Sequence, residues 1–326
     1  MIWTRSLTVA VLAAVLAAYA FPALAQLAPP RSRVLSVSAT SPVLLEVQLT
    51  EGDLQIVYAR DGQVTLTNTV RGSDGALADQ DTAAYALQFE QDGNHLRVHN
   101  QPIMPPNQQV RRVSYRIDVP YRTEVRAFVG EGKLTVTGVM GPVNGVTQHG
   151  DIKVSYVPKA VMARAGMGNL NLEVIGEHVE AKTGAGNITC IRAMQGIAAD
   201  TGDGDITLTV VGASKATVAN GSGRIEVGGA RGNLVASTEH GDLHVKAVPH
   251  DDWTLSSKSG TVRVELPPAA GFDMDLSTDS GVLEVDRDDI QKPCAGLLQF
   301  HQNANGGGKK IQVRTETGKI LFTGGG

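Results

Sequence analysis

Residues 183–208 read Thr-Gly-Ala-Gly-Asn-Ile-Thr-Cys-Ile-Arg-Ala-Met-Gln-Gly-Ile-Ala-Ala-Asp-Thr-Gly-Asp-Gly-Asp-Ile-Thr-Leu. One phrase occurs twice in them, as Gly186-Asn-Ile188-Thr-Cys190 and as Gly204-Asp-Ile206-Thr-Leu208, 18 residues apart. Followed outward, the phrase begins at Gly132, Gly150, Gly168, Gly186, Gly204, Gly223, Gly241, Gly260, Gly281 and Gly318, at intervals of 18, 18, 18, 18, 19, 18, 19, 21 and 37 residues. A short, steady period is the signature of a solenoid, in which each unit buries its apolar face only by stacking on its neighbours.

Each unit reads as two strands. After the glycine, apolar residues alternate with polar ones, as in Ile206-Thr207-Leu208, which describes a strand with one buried face. Seven, five and three residues before the glycine run three further columns, such as Ile197, Ala199 and Thr201. The Thr column predicts an internal ladder of hydroxyls that neighbouring rungs or backbone groups can satisfy. The link between the strands, as in Gly202-Asp-Gly204-Asp205, is rich in residues that tolerate positive φ. The expected fold is therefore all-β, a single-chain β-solenoid (β-helix) of about ten rungs with roughly 18 residues each and a strand-rich N-terminal cap.

The rest of the chain is placed around this repeat. Residues 1–25 have the pattern of a signal peptide: Arg5, the apolar Leu7 to Phe21, and Ala23-Leu-Ala25 before Gln26. Residues 26–33, with Pro29-Pro30, read as a disordered leader, and 34–131 as irregular β structure that begins or caps the solenoid. Residues 132–323 form the regular solenoid, with a loop insertion at 286–310. No membrane span is expected after signal cleavage, which places the protein in the periplasm, at the cell surface or outside the cell. The formal net charge of −4 argues against a nucleic-acid partner. Aromatic residues are only 4% of the chain, in keeping with narrow coils filled by Ala, Val, Ile and Thr.

Tyr115-Arg-Ile-Asp-Val-Pro120, then Gly132-Lys-Leu134 and the reiterated Thr-x-x-Gly-Asp/Asn-Ile units, resemble the putative adhesin-domain family of exported bacterial β-solenoid proteins. The closing Ile311-Gln-Val313-Arg-Thr315-Glu-Thr-Gly318-Lys-Ile320 resembles that family's last rung. The resemblance covers roughly residues 113–323, implies the solenoid fold and an envelope association, and brings no catalytic residues with it.

Chemistry has few footholds. Asp200, Asp203 and Asp205 form a carboxylate cluster, and paired acids on a β-helix can do acid–base work. Yet Asp151, Asn169, Asn187, Asp205 and Asp242 all follow the repeat glycine, a position that turn chemistry explains. The nine-residue Gly-Asp period of calcium solenoids is absent, and the eight histidines lack metal-site spacing. Neither catalytic residue, cofactor nor metal is expected. Cys190 stands in an inward column and reads as a small buried hydrophobe. The stretch least explained by the repeat carries Leu297, Leu298 and Phe300, a candidate partner-binding loop or a cover for the last rung. The function that fits is a non-enzymatic envelope or cell-surface binding module whose partner is an envelope protein or a glycan. A carbohydrate-active β-helix enzyme and a structural element of the envelope are the alternatives.

Overall fold

The computed structural model describes residues 31–38, 41–71, 87–100, 112–212 and 214–324, so the signal-peptide segment lies outside the described residues. These residues contain 28 strands and no helix. They form two sheets of 14 strands, one built from the strands that precede the repeat glycines and one from those that follow them. Within the repeat every pairing is parallel, and each strand is in register with the equivalent strand one rung away, as in Ile188↔Ile206 and Val179↔Ile197. The solenoid expectation thus holds. Two sheets face each other across one continuous core.

The repeat glycine is required twice over. At Gly168 and Gly204 φ is 150° and 144°, and a Cβ would collide with the carbonyl oxygen of the glycine one rung away, Gly150 or Gly186. The turns stack so closely that a side chain there would push adjacent rungs apart.

A second feature of the rung is invisible in the hydrophobic alternation. Six residues after the glycine the chain enters the left-handed region, at Gly138, Tyr156, Val174, Arg192, Val210 and Gly229, with φ between 54° and 76°. This kink leaves two successive residues facing outward and returns the next one to the core. Val139, Val157, Ile175, Ala193, Val211 and Ala230 are all buried as a result. They close the end of the coil that the turn leaves open.

The ends of the stack depart from chain order. At the C-terminal end, the strands Lys309–Thr315 and Lys319–Gly324 lie between the rung of Trp253–Ser259 and Thr261–Leu266 and the rung of Phe272–Thr278 and Val282–Asp286. The last rung in sequence is therefore the penultimate rung in space. Linear order along the chain predicts the opposite; the Gly-carbonyl stacking agrees with the strand pairing, with Gly318 against Gly260 and Gly281 against Gly318. The N-terminal end does the same. Val43–Glu51 and Asp53–Tyr58, which flank Gly52, stack directly on Thr123–Glu131 and Leu134–Thr137, while His95–His99 and Arg112–Val119 lie outside them. Two true rungs thus come from the irregular N-terminal part, and twelve parallel strands per sheet remain once the antiparallel ones are set aside.

Antiparallel strands finish the ends. Val64–Arg71 and Arg31–Leu35 extend one sheet, so strand structure begins inside the expected leader. Gln88–Asp92 ends the other sheet. At the far end Gln299–Ala304, inside the expected loop insertion, pairs antiparallel with Phe272–Thr278. Arg287 is buried there. Its guanidinium donates to the carbonyls of Leu266, Pro267 and Pro268, pairs with Asp289 at 2.6 Å and sits over the Phe272 ring.

Candidate functional site

The turn column has a task within the stack. The backbone N–H of Asn169 donates to Asp151 Oδ1 at 3.0 Å, that of Asn187 to Asn169 Oδ1 at 2.9 Å, and that of Asp205 to Asn187 Oδ1 at 2.8 Å. The series continues from Arg224 to Asp205 and from Thr261 to Asp242, both at 2.8 Å. Each side-chain oxygen accepts the N–H of the same position one rung on, so these residues form a rail along one edge of the solenoid. Asp200, in the carboxylate cluster, is paired with Lys182 at 2.6 Å on the outer face. Among the described residues no three His, Cys, Asp or Glu side chains gather to hold a metal ion. Cys190 and Cys294 are both free; the first is buried, and burial pushes its thiol up to about 12.

The hydroxyl ladder is also a stacking device. Thr183 and Thr201 donate to the carbonyls of Gly168 and Gly186 at 2.9 and 3.0 Å, and Asn220 Nδ2 donates to Gly204 at 2.8 Å. Thr238 stands in the same column with its hydroxyl buried and unpartnered.

Leu297 and Leu298 are exposed, where the segment approaches the edge strand, and Phe300 is half-buried against the core opposite Leu276. The structure separates the three: Phe300 covers the final rung, and the two leucines face solvent.

The groups best placed for recognition lie at the other end, on the outer face of the sheet that precedes the glycines. Strand pairing there aligns two outward columns across four rungs. One contains Arg97, Glu46, Arg126 and Asn144; the other contains His99, Gln48, Phe128 and Val146. In the first column Glu46 lies 2.9 Å from His95, 3.3 Å from Arg97 and 3.3 Å from Arg126. Arg126 also pairs with Glu124 at 2.8 Å, and Arg97 with Glu90 at 3.8 Å. The hydrogen bond with His95 is the largest influence on the Glu46 carboxyl; burial opposes it, and the Arg97 hydrogen bond and the Arg126 charge add to it, so that the carboxyl lies below its usual range. Between the columns lies a shallow cavity of about 580 Å³. Phe128 sits on it half-buried, between the inward Ala127 and Val129, and Val146 continues the apolar strip one rung on.

The repeat pattern does not point to this face. The signal was available: in Thr123–Glu131 the outward positions run Glu124, Arg126, Phe128, and the Phe is an aromatic residue in an outward position. What could not be read was the juxtaposition, because Glu46, Arg97 and Arg126 meet only through the exchanged order of the N-terminal rungs.

Fold and rung pattern define a β-solenoid class, and the comparisons narrow it. The family profile described as Toastrack DUF4097 matches residues 115–322, and the chain belongs to that family. This agrees with the resemblance to adhesin-domain proteins of unassigned function noted from the repeat. No curated protein matches. Solved structures that match include a "putative cell adhesion protein" from Clostridium sporogenes, at 11% identity and a TM-score of 0.22, over 91% of this chain and 100% of that one. A "putative adhesin" from Bacteroides fragilis matches at 11% identity and a TM-score of 0.33, over 91% and 97%. A "putative lipid binding protein" from Parabacteroides distasonis matches at 11% identity and a TM-score of 0.34, over 90% and 97%. Likeness at this level carries no function across.

Proposed function

We propose that this protein is a non-enzymatic binding module, exported by cleavage after Ala25, that engages an envelope protein or glycan through the rigid outer face of its solenoid. The observation that carries this reading is the rail: Asp151, Asp205 and Asp242 accept backbone N–H groups of the adjacent rung at 2.8–3.0 Å, and Asp200 is paired with Lys182 at 2.6 Å. A carboxylate committed to the stack is poorly placed to shuttle protons. What the fold offers is a stiff polar surface whose side chains are fixed by strand register, and such preorganisation favours recognition.

The test is a binding screen of envelope proteins and glycans with the chain that begins at Gln26, combined with chain-length analysis of every oligosaccharide offered. Retention of a partner with no oligosaccharide shortened is the expected result. Shortened oligosaccharides, or no partner from either class, would overturn it. Repeating the screen with Leu297→Ser/Leu298→Ser assigns the solvent-facing leucines: lost binding at an unchanged melting temperature makes them contacts.

A further inference from the structure

Resting on the reading of a binding module, we infer that the shallow cavity beside Phe128 is a subsite for a neutral oligosaccharide, laid along the solenoid axis. Three properties of the face point to this chemistry. The first is charge. Each guanidinium at the cavity is already matched by carboxylates: Arg97 by Glu46 and Glu90, and Arg126 by Glu46 and Glu124. An anionic ligand would have to break pairs already made, whereas a neutral one leaves them intact.

The second property is hydrogen-bonding capacity. The side-chain amides of Gln48 and Asn144 border the cavity and make no hydrogen bond to any described residue. An amide offers donors and an acceptor together, which suits hydroxyl groups that both give and receive. His99 is held in place by Gln88 at 3.0 Å and presents a further polar ring at the rim.

The third is the apolar strip. Phe128 and Val146 occupy successive rungs, and an aromatic face takes the C–H side of a sugar ring while its hydroxyls reach the flanking amides. Adjacent strands are about 4.8 Å apart, close to the repeat of a linked sugar, so successive rungs can meet successive rings. Elsewhere the Phe128 column carries Arg164, Lys182 and Asp200, which interrupts any such strip.

Titration calorimetry of the chain from Gln26 with maltohexaose, laminarihexaose, cellohexaose and an anionic alginate hexamer tests the inference. At least one neutral hexaose is expected to bind, and Phe128→Ala to weaken it tenfold or more with the melting temperature unchanged. Phe128→Trp should keep the affinity, and Gln48→Ala and Asn144→Ala should each lower it several-fold. These two polar variants carry the test if Phe128→Ala fails to fold. Binding of none of the neutral hexaoses, preference for the alginate, or affinity indifferent to these substitutions overturns the inference. An envelope protein retained by a chain that binds no hexaose would sink this inference alone and leave the binding-module reading standing; hexaoses shortened on incubation would sink both.

Discussion

Val210 and Val211 sit side by side and do opposite things. Val210 is held at φ 56°, a region that costs a β-branched residue roughly 1–3 kcal/mol, and its side chain faces solvent. Val211 is buried at the closed end of the coil. Glycine already occupies the equivalent of Val210 at positions 138 and 229. Val210→Gly should therefore raise stability by about 0.5–1 kcal/mol, after the entropic cost of glycine, while Val211→Gly should lose at least about 2 kcal/mol. Chemical denaturation of the two variants decides it, and a loss at both positions would refute the strain argument. The hydroxyl ladder supplies a matching pair. Thr238→Val removes a buried hydroxyl without a partner and should be neutral or stabilising; Thr201→Val breaks a made bond and should cost about 1 kcal/mol.

At the scale of the element, the rungs were legible and their kink was not. Period-two alternation in Ile206-Thr207-Leu208 names the strand, its register and its inward face from sequence alone. The left-handed residue six places on carries no such mark, because Tyr156, Val174 and Arg192 share no chemistry. Their conformation is imposed by the rungs on either side. The Asp/Asn column reads as turn chemistry in the sequence; its bonds to the next rung depend on stacking that a single strand does not encode. The end cap shows the same limit, since nothing in Asp286–Lys310 announces that Arg287 will be buried. That cap makes a pH prediction. The Arg287 guanidinium, beside Asp289, holds its carboxyl below the usual range against a smaller opposing effect of burial. A lowered value in the folded chain means stabilisation present above the ordinary carboxylate value and lost as pH falls from there through the lowered one. Melting temperatures of the parent and of Asp289→Asn should differ near pH 7 and converge once the pH has fallen through the lowered Asp289 value. Parallel curves at all pH values would exclude this pair from the acid limb.

For the molecule as a whole, a one-dimensional stack predicts that rungs are interchangeable where they follow chain order. Excision of residues 169–186, one full period, should leave a cooperative fold with a modestly lower melting temperature, read by circular dichroism. Removal of residues 309–324 takes out slightly less chain, yet those strands lie between two other rungs. This truncation should abolish the cooperative transition of the C-terminal end or cause aggregation. Equal melting curves for the two deletions would contradict the strand order.

The exchanged rungs also govern the order in which the stack can be assembled. A chain that emerges N-terminus first presents Val43–Tyr58 long before its lower neighbour, Thr123–Thr137, and cannot seal the far end until Ile311–Phe322 arrives. The N-terminal end closes once Thr123–Thr137 has appeared, and the middle can then zip one turn on the last; the C-terminal end must wait, and the final strands have to enter a gap that is already flanked. A protein built this way does not grow by adding turns at its tips. It lengthens by copying turns in the interior, between one latch that closes first and another that closes last.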